Sequence, residues 1–469
     1  MKIFYKFKNL CLVLMMALLI GLPLGCGSTA TTNNDFPLVV FSDVHFDPFY
    51  DPSPTLFQAL VTTEAAGWVN IFNTSSIITP QVWGSDANYP LFKLALSSIK
   101  QNLGKSQYIV FTGDILSHDF AQTFYTRAGK SVPPTPADIA SMEAFADKTV
   151  AFFLQQVRAS VGNIPILFAV GNNDSYNDQG PDSTFLANTA ELFYTNCVNS
   201  VVDHQTFLNT FLQGGYYSAD LPGTNLTVVS LNTIMFAPPP DGNIPSSEVE
   251  IAWLDSTLSS AKSRGKTVWL LIHIPPGAKI ISTSEHVDPQ GHITSAEAKM
   301  MWNQDLQASF LQVLAKYPGV MALKFAGHTH MDEYRIVATG EVFCMTPGLT
   351  AYSNNNPAYK ILTISNETLA ATDYTALYYD LATNPAQFNT YYTFSTSYGM
   401  QGPLANSLAQ LWPALVTNEA KQTLYRTHYY SGHAYSATFN PITNTNWPVF
   451  WSGIGKMPQQ DFIDAVNAY

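Results

Sequence analysis

Six short runs of β-branched and aromatic residues, each halted by a cluster of Gly, Asn, Asp or Pro, constrain this chain more than any other feature. They are Leu38–Ser42, Tyr108–Thr112, Ile164–Val170, Leu226–Leu231, Val268–His273 and Val320–Phe325. Runs of this length and bounding read as buried strands. Helical patterns lie between them. In 247–262 a Ser247-x-x-Glu250 capping box precedes Ile251, Leu254 and Leu258 at helical spacing. In 297–317, Trp302, Leu306, Phe310, Leu314 and Tyr317 fall on one apolar face. Three later runs, near Val342–Met345, Ile361–Ser365 and Thr372–Tyr379, follow one another without helical stretches. The pattern predicts a layered α/β domain with some antiparallel sheet. Residues 385–469, rich in Tyr, Asn and Thr, read as mainly helical. With 46% apolar and 12% charged residues, a chain of 469 residues can bury such a core.

The polar clusters that end these runs carry the chemistry. Ser42-Asp43-Val44-His45 follows the first, Thr112-Gly113-Asp114 the second, and Gly171-Asn172-Asn173-Asp174 the third. His273 closes the fifth run, and Gly327-His328-Thr329-His330 follows the sixth. Loops beyond strand C-termini converge on one edge of an α/β sheet, which is where such folds place their sites. Alternate residues at a strand end point the same way, so Asp43 and His45 can share one metal, and His328 and His330 again face one side. Each fragment alone is a common turn or surface pair. Five in this order, each after an apolar run, point to a metal centre of imidazole and carboxylate. That donor set suits Zn²⁺, Mn²⁺ or Fe.

The order DxH, GD, GNx, H, GHxH resembles that of the calcineurin-like metallophosphoesterases. GDILSHD (113–119), HIPPG (273–277), GHTHMDEY (327–334), TPGLTAYSNNNPAYK (346–360) and TDYTALYYDL (372–381) look like the acid sphingomyelinase-like phosphodiesterases within it. The resemblance implies an α/β fold, a four-layer αββα sandwich over 37–384, with a C-terminal mainly helical extension over 385–469. It implies two divalent ions, zinc foremost with Mn or Fe as alternatives. Asp43, His45, Asp114 and His330 would hold one, and Asp114, Asn172, His273 and His328 the other. A metal-bridging hydroxide would then hydrolyse a phosphodiester. The chain departs from the family at Asn173, where a phosphate-contacting His is usual. Asn can hydrogen-bond a phosphate but cannot donate a proton as an acid. His118 is then the leading proton donor, the alternative being a support for Asp114. The Gly-Asn-Asn-Asp form also occurs in endopolyphosphatases, so polyphosphate, phosphomonoester or nucleotide cleavage is the enzymatic alternative. A binding lipoprotein on a decayed enzyme fold is the non-enzymatic one. It predicts a missing ligand, and none of the seven is missing.

The N-terminus reads as a targeting segment. Lys2, Lys6 and Lys8 precede an apolar stretch over residues 11–20, which is too short to span a bilayer comfortably. Leu22-Pro23-Leu24-Gly25-Cys26 resembles a lipobox, with Pro23 where Leu is usual. The expectation is a signal peptide over 1–25, a lipid on Cys26, a polar tether over 26–36, and export to the periplasm, outer membrane or cell surface. An ordinary secretory signal is the alternative. The tether leads to Asp43 without a saposin-type lipid-presenting segment, which favours a small phosphoester over a phospholipid headgroup. A net charge of −12 speaks against nucleic-acid duplex binding. Cys197 and Cys344 could pair or stand as separate thiols. His286 and His292 read as solvated loop residues rather than pocket residues.

Overall fold

The computed structural model describes residues 35–177, 180, 182–433 and 441–469. The expected signal segment 1–25, Cys26 and nearly all of the tether lie outside the described residues.

In chain order the described strands are β1 (Phe36–Phe41), β2 (Ile109–Phe111), β3 (Ile166–Phe168), β4 (Tyr217–Asp220), β5 (Leu226–Ser230) and β6 (Thr267–Leu271). They continue as β7 (Met321–Ala326), β8 (Tyr334–Ile336), β9 (Val342–Met345), β10 (Ala358–Ile364), β11 (Ala371–Tyr378) and β12 (Asn389–Thr393). They form two six-stranded mixed sheets, ordered β12-β11-β10-β1-β2-β3 and β4-β5-β6-β7-β9-β8. In the first, β1, β2 and β3 run parallel, with Phe41 beside Phe111 and Phe111 beside Phe168. In the second, β5, β6, β7 and β9 run parallel. The β10–β11–β12 ribbon is antiparallel, as closely spaced runs without helices require.

The sheets face each other. The Tyr217 hydroxyl on β4 accepts from Phe168 N on β3 at 2.9 Å, and the rings of Tyr108 and Trp269 meet edge to face. Helices cover the outer faces. Phe153, on the helix Pro136–Val161, packs on Phe111 of the first sheet. Phe310, on the helix Gln304–Ala315, packs on Phe343 of the second. This is the αββα layering expected, and the C-terminal region is mainly helical.

Local differences have plain causes. The helix expected over 247–262 starts at Ile244, capped by the Asn243 side chain on Ser246 N at 3.1 Å. Ser247 donates to the Asn243 carbonyl, and buried Glu250 accepts from Asn232 N at 2.6 Å. The Ser247–Glu250 pair is therefore no capping box. The helix expected over 297–317 occupies Gln304–Ala315, with Leu306, Phe310 and Leu314 buried as the periodicity required. Strands β4, β8 and β12 have no apolar run of their own, and each lies at or next to a sheet edge. Cys197 and Cys344 are both free thiols. Among the described residues no helix is long and apolar enough to cross a membrane.

Candidate metal centre

Both sheets deliver their polar motifs to one edge. Asp43 and His45 follow β1, Asp114 follows β2, and Asn172, Asn173 and Asp174 follow β3. From the second sheet, His273 follows β6, while His328 and His330 follow β7. Strand alternation is not what aims them, because β1 stops at Phe41 and β7 at Ala326. The main chain instead turns through the left-handed region at Asp43 (φ 48°), His45 (45°), Asp114 (64°), His328 (71°) and His330 (62°). Such backbone is costly for non-glycine residues and persists where the surroundings enforce it. Here Asp43 N donates to Gly113 O at 2.9 Å and His45 N to Asp114 O at 3.1 Å. The His328 amide donates to the Asp43 carboxylate at 2.9 Å. Two glycines make the approach possible. A β-carbon on Gly171 would fall on the Asp114 carboxylate, and one on Gly327 would stand 2.7 Å from Asp43 Oδ2.

All seven expected ligands come together. Asp114 Oδ2 lies 3.3 Å from His45 Nε2 and 3.2 Å from His273 Nε2. On one side His330 Nε2 is 3.1 Å from His45 Nε2 and 3.5 Å from Asp43 Oδ1. On the other, Asn172 Oδ1 is 3.1 Å from His273 Nε2 and 2.9 Å from His328 Nδ1. Asp114 is the carboxylate common to both groupings. Asp43 with His45 and Asp114, and separately Asp114 with His273 and His328, present ligand atoms within 4.8 Å of one another.

The donor set fits divalent cations. His45 donates Nδ1–H to the Leu116 carbonyl at 3.0 Å, and His273 donates Nδ1–H to the Thr112 carbonyl at 2.6 Å. Each ring therefore turns Nε2 inward, toward carboxylate and amide oxygens. Burial pushes the His45 pKa down to about 4, so its Nε2 carries a lone pair aimed at the Asp114 carboxylate. Lone pairs against buried carboxylates repel, and a cation turns that repulsion into coordination. The acids show the same strain. Burial pushes the Asp43 carboxyl up to about 7, against the pull of His273. Burial also opposes ionisation of Asp114, but His273 and His45 hold it well below its ordinary value.

Several supporting contacts were not legible in the sequence. Asp174 accepts from Gly171 N, Asp114 N and Ile115 N at 2.7–3.0 Å, and so fixes two ligand loops together. Ser353 Oγ lies 2.9 Å from His330 Nδ1. Asp86 accepts from the His118 ring and amide, both at 2.8 Å. His118 is stacked between His45 (centroids 4.0 Å apart) and Tyr352 (3.6 Å). Burial would lower the His118 pKa, and the Asp86 carboxylate raises it above its ordinary value. A ring nitrogen of His118 lies within 4.8 Å of ring nitrogens on His45 and His330. The Asn173 side chain donates to Asp114 Oδ2 at 3.1 Å and its backbone amide to Oδ1 at 2.8 Å, so it rests on that carboxylate. His286 and His292 stay outside the cluster, on exposed loops beside the Ser282 carbonyl and Asp288.

Residues 36–332 match the calcineurin-like phosphoesterase family. Similar proteins include sphingomyelinase phosphodiesterase D of Dictyostelium discoideum, 27% identical over 359 residues, covering 70% of this chain and 70% of that one. Acid sphingomyelinase-like phosphodiesterase 3b of Homo sapiens is 23% identical over 430 residues, covering 84% and 83%. Cyclic GMP-AMP phosphodiesterase SMPDL3A of Rattus norvegicus is 23% identical over 433 residues, covering 88% and 87%.

Proposed function

Because this chain belongs to the calcineurin-like phosphoesterase family, we propose that it is a phosphodiesterase of the acid sphingomyelinase-like kind, acting on small phosphoesters at the His/Asp centre. The observation that carries the reading is the convergence of Asp43, His45, Asn172, His273, His328 and His330 around Asp114, with His118 beside them.

Asp43, His45, Asp114 and His330 would hold one ion, and Asp114, Asn172, His273 and His328 a second, with zinc the first choice for this donor set. Two such ions, when bound, lower the pKa of water and neutralise charge on phosphoryl oxygens. The chain's own part is positional. Asp174 and the Leu116 and Thr112 carbonyls fix the ligand loops and ring orientations. Asp86 keeps a proton on His118, which can pass to the oxygen of the departing alcohol. Asn173 holds Asp114 and leaves proton donation to His118.

The sandwich domain would run over 37–384 and the mainly helical extension over 385–469, which lends β12 to the edge of the first sheet. Residues 1–25 would direct export, with Cys26 lipidated, as the basic start and apolar stretch suggest. The test is metal content by elemental analysis together with turnover of bis-p-nitrophenyl phosphate against p-nitrophenyl phosphate. The reading requires metal-dependent hydrolysis with the diester preferred. A preference for the monoester or for polyphosphate would move the assignment to the alternatives above. Tight metal binding without hydrolysis would make it a binding lipoprotein.

A further inference from the structure

A cavity of about 310 Å³ adjoins the metal centre, with His328 and Thr329 on one wall and Lys279, Ile281 and Tyr429 on others. Lys279 also borders a second groove, of about 780 Å³, that shares Ser282 with the first. It therefore lines both the cavity that His328 borders and the groove next to it. Its main chain is fixed: Lys279 N donates to Lys299 O at 2.8 Å, beside the Ala278–Met300 bridge. Its ammonium is not fixed. Among the described residues Lys130, Lys148, Lys316, Lys324 and Lys360 have carboxylate partners, and Lys279 has none. The other full charges on this cavity cancel, because Arg335 Nη2 pairs with Glu333 Oε1 at 3.2 Å and both are buried. Lys279 is half-buried and within electrostatic reach of His328. In a chain of net charge −12, an unneutralised cation at that place adds to the attraction of an anion toward the centre.

We propose that Lys279 is a specificity residue: it binds a second anionic group of the substrate, so that the site selects phosphoesters bearing another anion on the His328 side of the scissile phosphorus. The proposal rests on the reading of the centre as a phosphoesterase. An ammonium on a four-carbon stem is a mobile point charge, which suits a phosphate whose distance from the reacting centre varies. The interaction is partly exposed and weakens with salt.

The experiment uses the metal-loaded full chain and two esters, p-nitrophenyl thymidine 5′-phosphate and its 3′-phosphorylated counterpart. We expect the wild type to favour the 3′-phosphorylated ester in kcat/KM by about tenfold, as a charge-assisted contact allows. Lys279→Ala should lose that preference, Lys279→Arg should keep most of it, and raising the salt should shrink it in the wild type. Thermal melts of both variants show whether they are folded. Equal kcat/KM for both esters in the wild type overturns the proposal, as does a preference that survives in folded Lys279→Ala. In either case the phosphoesterase reading stands. Hydrolysis of neither ester by wild type with its metals bound overturns that reading and the proposal with it.

Discussion

Asp114 is the residue on which the centre turns, because its carboxylate meets both His45 and His273. An amide in its place would supply no charge to an ion on either side. Asp114→Asn is expected to lose at least one equivalent of metal and to abolish metal-dependent hydrolysis. Near-normal turnover at full metal content would remove the bridging role. His118 poses a different question, since it can act as an acid or only brace its neighbours. If it protonates the leaving group, His118→Ala should slow an alkyl diester by ~10²–10⁴-fold and a p-nitrophenyl diester far less, since p-nitrophenolate leaves unprotonated. Equal losses in kcat/KM for both esters would leave His118 as a support. Asn173→Ala should slow both esters alike, because its amide bonds are to Asp114.

At the scale of elements, the helix Ile244–Ser263 carries a buried acid that the site does not use. Burial pushes Glu250 up to about 8, only partly offset by its hydrogen bond from Asn232 N. The folded state then holds a proton that the unfolded state gives up near pH ~4.3. Between those values the folded form binds more protons, so this group's contribution to stability falls as pH rises from ~4.3 to about 8. Glu250→Gln keeps an acceptor for Asn232 N and removes the titration. Its melting temperature relative to the wild type should rise between pH 5 and pH 8. A constant difference across that range would show that Glu250 ionises normally. The ligand loops are elements of another kind, whose left-handed turns need Gly171 and Gly327 close by.

Across the whole molecule, Asp35–Tyr469 form one compact unit, and the C-terminal part braces the centre. Tyr429 O accepts from Asp332 N at 2.9 Å, just beyond the His328–His330 loop. Buried Arg335 donates to the Gly453 carbonyl at 3.3 Å, and the Tyr392 hydroxyl on β12 donates to Asp332 at 2.7 Å. Trp447, Phe450 and Leu411 are buried in the common core. A chain cut after residue 384 would lose these ties and expose that apolar surface. It is expected to be poorly soluble and to bind little metal. A cooperative melt at the wild-type temperature would refute this bracing role.

The sequence by itself determined the nine strands that have apolar runs of their own, the layering, and the seven residues now found clustered, Asp114 at their centre. Those features are local: a β-branched run buries itself wherever it lies, and a motif at its end travels with it. The tertiary structure alone decided the rest. Edge strands β8 and β12 form because neighbours offer unpaired backbone, not because their own residues demand it. Likewise Glu250 met a backbone amide at Asn232 instead of the helix start, since side-chain partners are chosen by packing. The same holds for Asp86 under His118, Tyr352 over it, and Lys279 beside His328. None of these roles can be read from its own stretch, and each exists only once two sheets close on each other and bring distant loops within hydrogen-bonding and Coulombic range.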